Sequence, residues 1–160
     1  MSMTHYMELL ATNQPWNLIV FMAIPVILAE TVAITELFIL FNRDVSSGLR
    51  KLNKFAGIIG GFYFLGVFIY LFFKAVIPLT TGGGWRGIVD IIAVGFYLSG
   101  VIPLMGMALL EIGVIYKNKT PEQKMFIHAV FVAVFLAVAH IAMIFGMLNP
   151  NLLMISGGKM

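Results

Sequence analysis

The stretch MFIHAVFVAVFLAVAHIAMIFGML, residues 125–148, decides the fold. It is apolar almost without interruption and long enough for a helix that crosses a bilayer, which takes about 20 such residues. It does not alternate in polarity as a lipid-facing barrel strand would. Three further runs read the same way, at about 16–41, 55–79 and 88–116. The expected fold is therefore all-α: a single membrane domain, residues 1–160, forming an integral four-helix bundle. Composition agrees. Of 160 residues, 61% are hydrophobic and 11% charged, and mean hydropathy is +1.00. A soluble domain runs at about 45–50% apolar and 25% charged. A soluble enzyme, a disordered chain and a nucleic-acid-binding domain are all poor fits, and with no cysteine there is neither a disulfide nor a thiolate metal site.

Charge between the runs gives an orientation. The segment Asn42 to Lys54 holds Arg43, Arg50, Lys51 and Lys54, and Tyr116 to Lys124 holds Lys117, Lys119 and Lys124. The connection Thr80 to Gly87 has only Arg86, and the C-terminal tail only Lys159. The positive-inside rule puts the two basic segments in the cytoplasm and both termini on the outer, periplasmic side. Met1 to Asn13 lacks the basic start and cleavage site of a signal peptide. Residues 3–11 read instead as a short amphipathic segment lying on the outer surface, with Trp16 marking the interface where the first span enters.

Local signals fall at the expected boundaries. Thr120-Pro121-Glu122-Gln123 is a capping box with proline at the first helical position. Pro25 and Pro103 lie within spans, where each removes a backbone donor. Gly57 and Gly61, with Gly60 and Gly66 nearby, and the stripe Ala129, Ala133, Ala137 suit close helix contact. The same small residues would also admit a flat cofactor.

Ionisable groups inside a membrane are costly and usually face a bundle interior. Seven fall within the spans. With about 1.5 Å of rise per residue, Glu36, Glu111 and His128 form an inner layer. His140, Lys74, Asp90, Tyr70 and Tyr97 form an outer one, with Glu30 between. Asp90, Tyr97, Leu104 and Glu111 recur every seven residues on one helix face, and Tyr63, Tyr70 and Lys74 share a face of the second span. Lys74 and Asp90 read as an outer ion pair. His140 is expected to point into the bundle, against a carboxylate, a tyrosine or a cofactor.

Three functions suit these groups. Glu30, Glu36, Glu111, His128, His140 and Tyr97 would line an ion or proton path, or a divalent-metal path with Met105, Met107 and Met143 as softer ligands. Alternatively the protein is a b-type cytochrome, with haem ligands drawn from His140, His5 and His128. His128 and His140 stand about 18 Å apart along one helix and about 120° apart around it, so they cannot share an iron; a paired ligand for His140 would have to be His5, a methionine or a residue of another subunit. In the third reading the chain is a non-catalytic subunit of a larger membrane complex. No HExxH motif and no serine nucleophile arrangement is present, so the sequence does not point to an enzyme. Homo-oligomerisation suits a bundle too small to form a pathway alone.

The segments Asn13-Gln14-Pro15-Trp16-Asn17-Leu18, Thr80-Thr81-Gly82-Gly83-Gly84-Trp85-Arg86-Gly87 and Ala139-His140-Ile141-Ala142-Met143 resemble an uncharacterised family of short bacterial integral membrane proteins, loosely called permease-like. The resemblance runs over nearly the whole chain. It implies a four-helix protein of the bacterial inner membrane and assigns no site residue.

Overall fold

A computed structural model describes residues 3–42 and 47–153; Arg43 and Lys159 lie outside them. Of the described residues, 84% are helical. A short helix α1 (His5–Ala11) precedes four helices long and apolar enough to cross a membrane. These are α2 (Trp16–Asn42), α3 (Gly48–Thr81), α4 (Ile88–Ile112) and α5 (Pro121–Met147). A 3₁₀ turn, Pro150–Leu153, follows. The chain is a multi-pass membrane protein. The end of the bundle carrying Arg50, Lys51, Lys54, Lys117, Lys119 and Lys124 is the basic end, and α1 sits at the other.

Two boundaries differ from the hydropathy reading. α3 begins near Gly48, so Arg50, Lys51 and Lys54 lie on its first two turns, not in a loop. Long basic side chains there carry their charge to water while the backbone is already helical. α4 stops at Ile112, where Gly113 takes a left-handed conformation (φ 80°) and its N–H closes the last turn; residues 113–116 fall outside the helix. The α5 start has the capping box the sequence implies, with Thr120 accepting from the Gln123 N–H and Gln123 reaching back to the Thr120 N–H.

Pro25 has a worked-out consequence. Residues Ile19–Ala23 form a π turn in which the Ile24 N–H bonds to Ile19, not Val20. Pro25 has no N–H for Phe21, its i−4 partner. Two carbonyls are thus freed in an apolar setting, where an unmet one costs about 1–3 kcal/mol. Both are met from neighbouring helices: Tyr63 Oη donates to the Val20 carbonyl at 2.8 Å and Tyr97 Oη to Phe21 at 2.5 Å. The tyrosines tie α3 and α4 to α2. A second π turn, Phe72–Val76, precedes Pro78 in the same register.

Close contact between α3 and α4 rests on Gly61. A Cβ there would stand 2.5 Å from Ala108 Cβ and 2.6 Å from the Leu104 carbonyl oxygen, so helix contact fills the space and leaves none for a cofactor. The alanine stripe of α5 behaves differently, because Ala133 and Ala137 are exposed. The middle of the bundle is an apolar plug that includes Val32, Phe64, Leu104, Met107 and Phe135.

The N-terminal segment turns its apolar side onto the bundle, not into lipid. α1 docks into the bundle end with Tyr6 and Leu10 buried. The Tyr6 ring occupies the notch at Gly146, where a Cβ would sit 2.6 Å from the ring, and packs on Tyr97 with centroids 5.0 Å apart. Thr4 caps α1 and donates to the Gly146 carbonyl at 2.6 Å. The apolar stripe that reads as lipid-facing is spent on protein.

Candidate functional site: an imidazole between two carboxylates

At the basic end the structure brings together Glu36 of α2, Glu111 of α4 and His128 of α5. His128 Nδ1 lies 2.6 Å from Glu36 Oε2, and Nε2 lies 3.6 Å from Glu111 Oε1. His128 is 2% exposed and Glu36 6%. Neither ring nitrogen has a partner aligned for a linear hydrogen bond, so the contacts are close without being locked. Gly57 makes the room: a Cβ there would lie 3.5 Å from His128 Nε2.

A fourth member is Asn53 of α3, buried beneath Glu36. Its Nδ2 approaches Glu36 Oε2 at 3.1 Å, Thr35 Oγ1 at 2.9 Å and the Val32 carbonyl at 3.1 Å. Two amide hydrogens shared among three acceptors fix the carboxylate while leaving it available to His128. Reading Asn42–Lys54 as a loop hides Asn53. The signal was its spacing of four from Gly57, which puts both on one face of a helix begun earlier.

The cluster borders a cavity of about 60 Å³ whose lining includes Arg50 and Lys124. A water needs about 15 Å³ on this measure, so the cavity has room for a few. Among the described residues no group of three or more His, Asp or Glu side chains is placed to hold a metal ion. The arrangement suits proton exchange. A sub-ångström shift brings Glu111 within hydrogen-bond reach of an imidazole that already touches Glu36.

The remaining polar residues are dispersed. Asp90 is fully buried but does not pair with Lys74. It takes the His5 backbone N–H at 2.7 Å, His5 Nδ1 at 2.5 Å and the Arg86 N–H at 3.2 Å. Arg86 in turn pairs with Glu8 and donates to the Met3 carbonyl. These contacts latch α1, and the nearby backbone N–H groups outcompete a lysine on a flexible stem. Lys74 is exposed, and Tyr70 is exposed against Phe21. Tyr97 is committed to Phe21. Glu30 and His140 are exposed, both lining a groove between α2 and α5.

His140 therefore does not meet a carboxylate or tyrosine inside the bundle. Its Nδ1 lies 2.6 Å from the Leu136 carbonyl, one turn back on its own helix, which satisfies that nitrogen locally. His5 and His140 line different cavities. The paired ligation that a bis-histidine haem between them requires is not built.

Fold and cluster together define a class: a small four-span helical membrane protein with a buried carboxylate–imidazole–carboxylate group near one end. The chain belongs to a family of unknown function, DUF6803, whose model matches residues 1–160. No curated protein and no solved structure matches it.

Proposed function

We propose that this protein handles protons or ions across the bacterial inner membrane, as a permease-like transport protein, with its basic end cytoplasmic and both termini periplasmic. The observation carrying this reading is His128 held between Glu36 and Glu111 beside a cavity bordered by Arg50 and Lys124. A structural ion pair has no need of a second acceptor. The apolar plug separates the cluster from the α1 end. Passage therefore requires the helices to shift, and the π turns of α2 and α3 and the break at Gly100 in α4 are where such a shift is easiest.

In proteoliposomes under a pH gradient, the Glu36→Gln/His128→Ala double variant loses the protein-dependent proton flux; unchanged flux contradicts the proposal. Orientation is read from single cysteines, since the chain has none. Lys51→Cys is shielded from an impermeant thiol reagent added to intact cells, and Gly83→Cys is labelled. The reverse pattern inverts the topology.

A further inference from the structure

Glu30 lies near the middle of α2 and His140 in the half of α5 nearer α1, and both are exposed on the outside of the bundle. Ionisable groups in that position face hydrocarbon, where a polar group without a partner is costly. No described side chain pairs with the Glu30 carboxyl. The Leu136 carbonyl is purely an acceptor, so His140 Nδ1 must carry the hydrogen that binds it. In the neutral ring Nε2 is then an acceptor, with no described partner.

These two groups border a cavity of about 130 Å³ that reaches inward between α2 and α5. Its deep lining includes Phe21, Phe64, Phe135 and Tyr97, and Phe64 and Phe135 are 1% and 5% exposed. A cavity of about 150 Å³ lined by apolar side chains accepts one benzene ring. The space therefore matches a single six-membered ring, with an open side through which a tail would extend into lipid. It is far smaller than a haem macrocycle.

We propose that this groove binds the ring of a lipid-soluble quinol, with one ring hydroxyl donating to His140 Nε2 and the Glu30 carboxyl hydrogen-bonded to the second ring oxygen. The aromatic floor supplies edge and face contacts to the ring. Because His140 offers an acceptor, the groove selects the hydroxyl form: a quinone has no O–H to give. The site lies apart from the His128 cluster and does not depend on its proton-handling role.

The test uses full-length protein in phosphatidylcholine nanodiscs, titrated anaerobically with a decyl-tailed benzoquinol and separately with its quinone, with empty nanodiscs as the background. Saturable quinol binding is expected, with quinone weaker by about tenfold, the effect of one lost hydrogen bond. His140→Leu and Glu30→Leu lie on the exterior and should retain the wild-type helical melting profile. Each should weaken quinol binding by about tenfold or more, and Ala139→Phe, which fills the groove, should abolish it. Four results overturn the proposal: no binding above empty discs; equal affinity for quinol and quinone; unchanged affinity in both leucine variants; or a groove occupied by something else. The last would appear as a Soret band lost in His140→Leu, or as a dimer that His140→Leu dissociates and the quinol does not.

Discussion

Two of the histidine–carboxylate contacts among the described residues are nearly equal in length, and their surroundings differ. At the α1 end, His5 Nδ1 and Asp90 are 2.5 Å apart; at the basic end, His128 Nδ1 and Glu36 are 2.6 Å apart. Asp90 also receives two backbone N–H groups, from His5 and Arg86, so three donors hold it and the pair is a fastening. Glu36 shares its oxygen with a side-chain amide, and His128 faces a second carboxylate beside a cavity. Distance alone does not separate a latch from the proposed proton site. What separates them is the number of donors each carboxylate holds and whether the imidazole faces a second carboxylate.

Breaking the latch should have the largest effect on stability. Asp90→Ala removes three hydrogen bonds from a fully buried position and leaves their donors unmet. We expect a loss of about 3 kcal/mol, measured as reduced thermal stability in detergent, with residues His5–Ala11 becoming open to protease. A latch that resisted protease as well as wild type would show that Tyr6 and Leu10 alone hold α1.

Alkali should loosen the same end. Burial pushes the Tyr6 hydroxyl up to about 12 from its ordinary value of 10. Unfolded chains lose this proton above pH 10 while the docked ring keeps it. The docking stability is thus full below pH 10 and falls as pH rises toward 12, by about 1.4 kcal/mol per unit. Tyr6→Phe, which has no proton to lose, should flatten that fall in an α1 protease-access assay run against pH.

A smaller effect belongs to the proline-freed carbonyl in α2. Tyr97→Phe leaves the Phe21 carbonyl unmet and should cost about 1–2 kcal/mol. In a Pro25→Ala background the helix can supply its own donor, and the cost should shrink. Equal costs in both backgrounds would detach Tyr97 from Pro25.

These contrasts also mark what the sequence could tell. Long apolar runs are local, so four helices were legible, and axial rise placed Glu36, Glu111 and His128 at one depth. Rotation was less legible. α5 is apolar on every side, so no stripe says which way His140 faces, and it turned outward. Asn53 was hidden because a helix that starts among basic residues shows no hydropathy edge. The docking of α1 depended on Asp90 and on the Gly146 notch, both far away in sequence. A seven-residue amphipathic segment reads identically whether its stripe meets lipid or protein.

The most direct measurement of the central contrast is infrared difference spectroscopy of the reconstituted protein cycled between acidic and neutral pH. The account predicts a carboxyl C=O band that appears and disappears with pH, is missing in Glu36→Gln, and survives in Asp90→Asn. A band that persists in Glu36→Gln and vanishes in Asp90→Asn would contradict it, making the latch the group that exchanges protons and the His128 cluster the structural one.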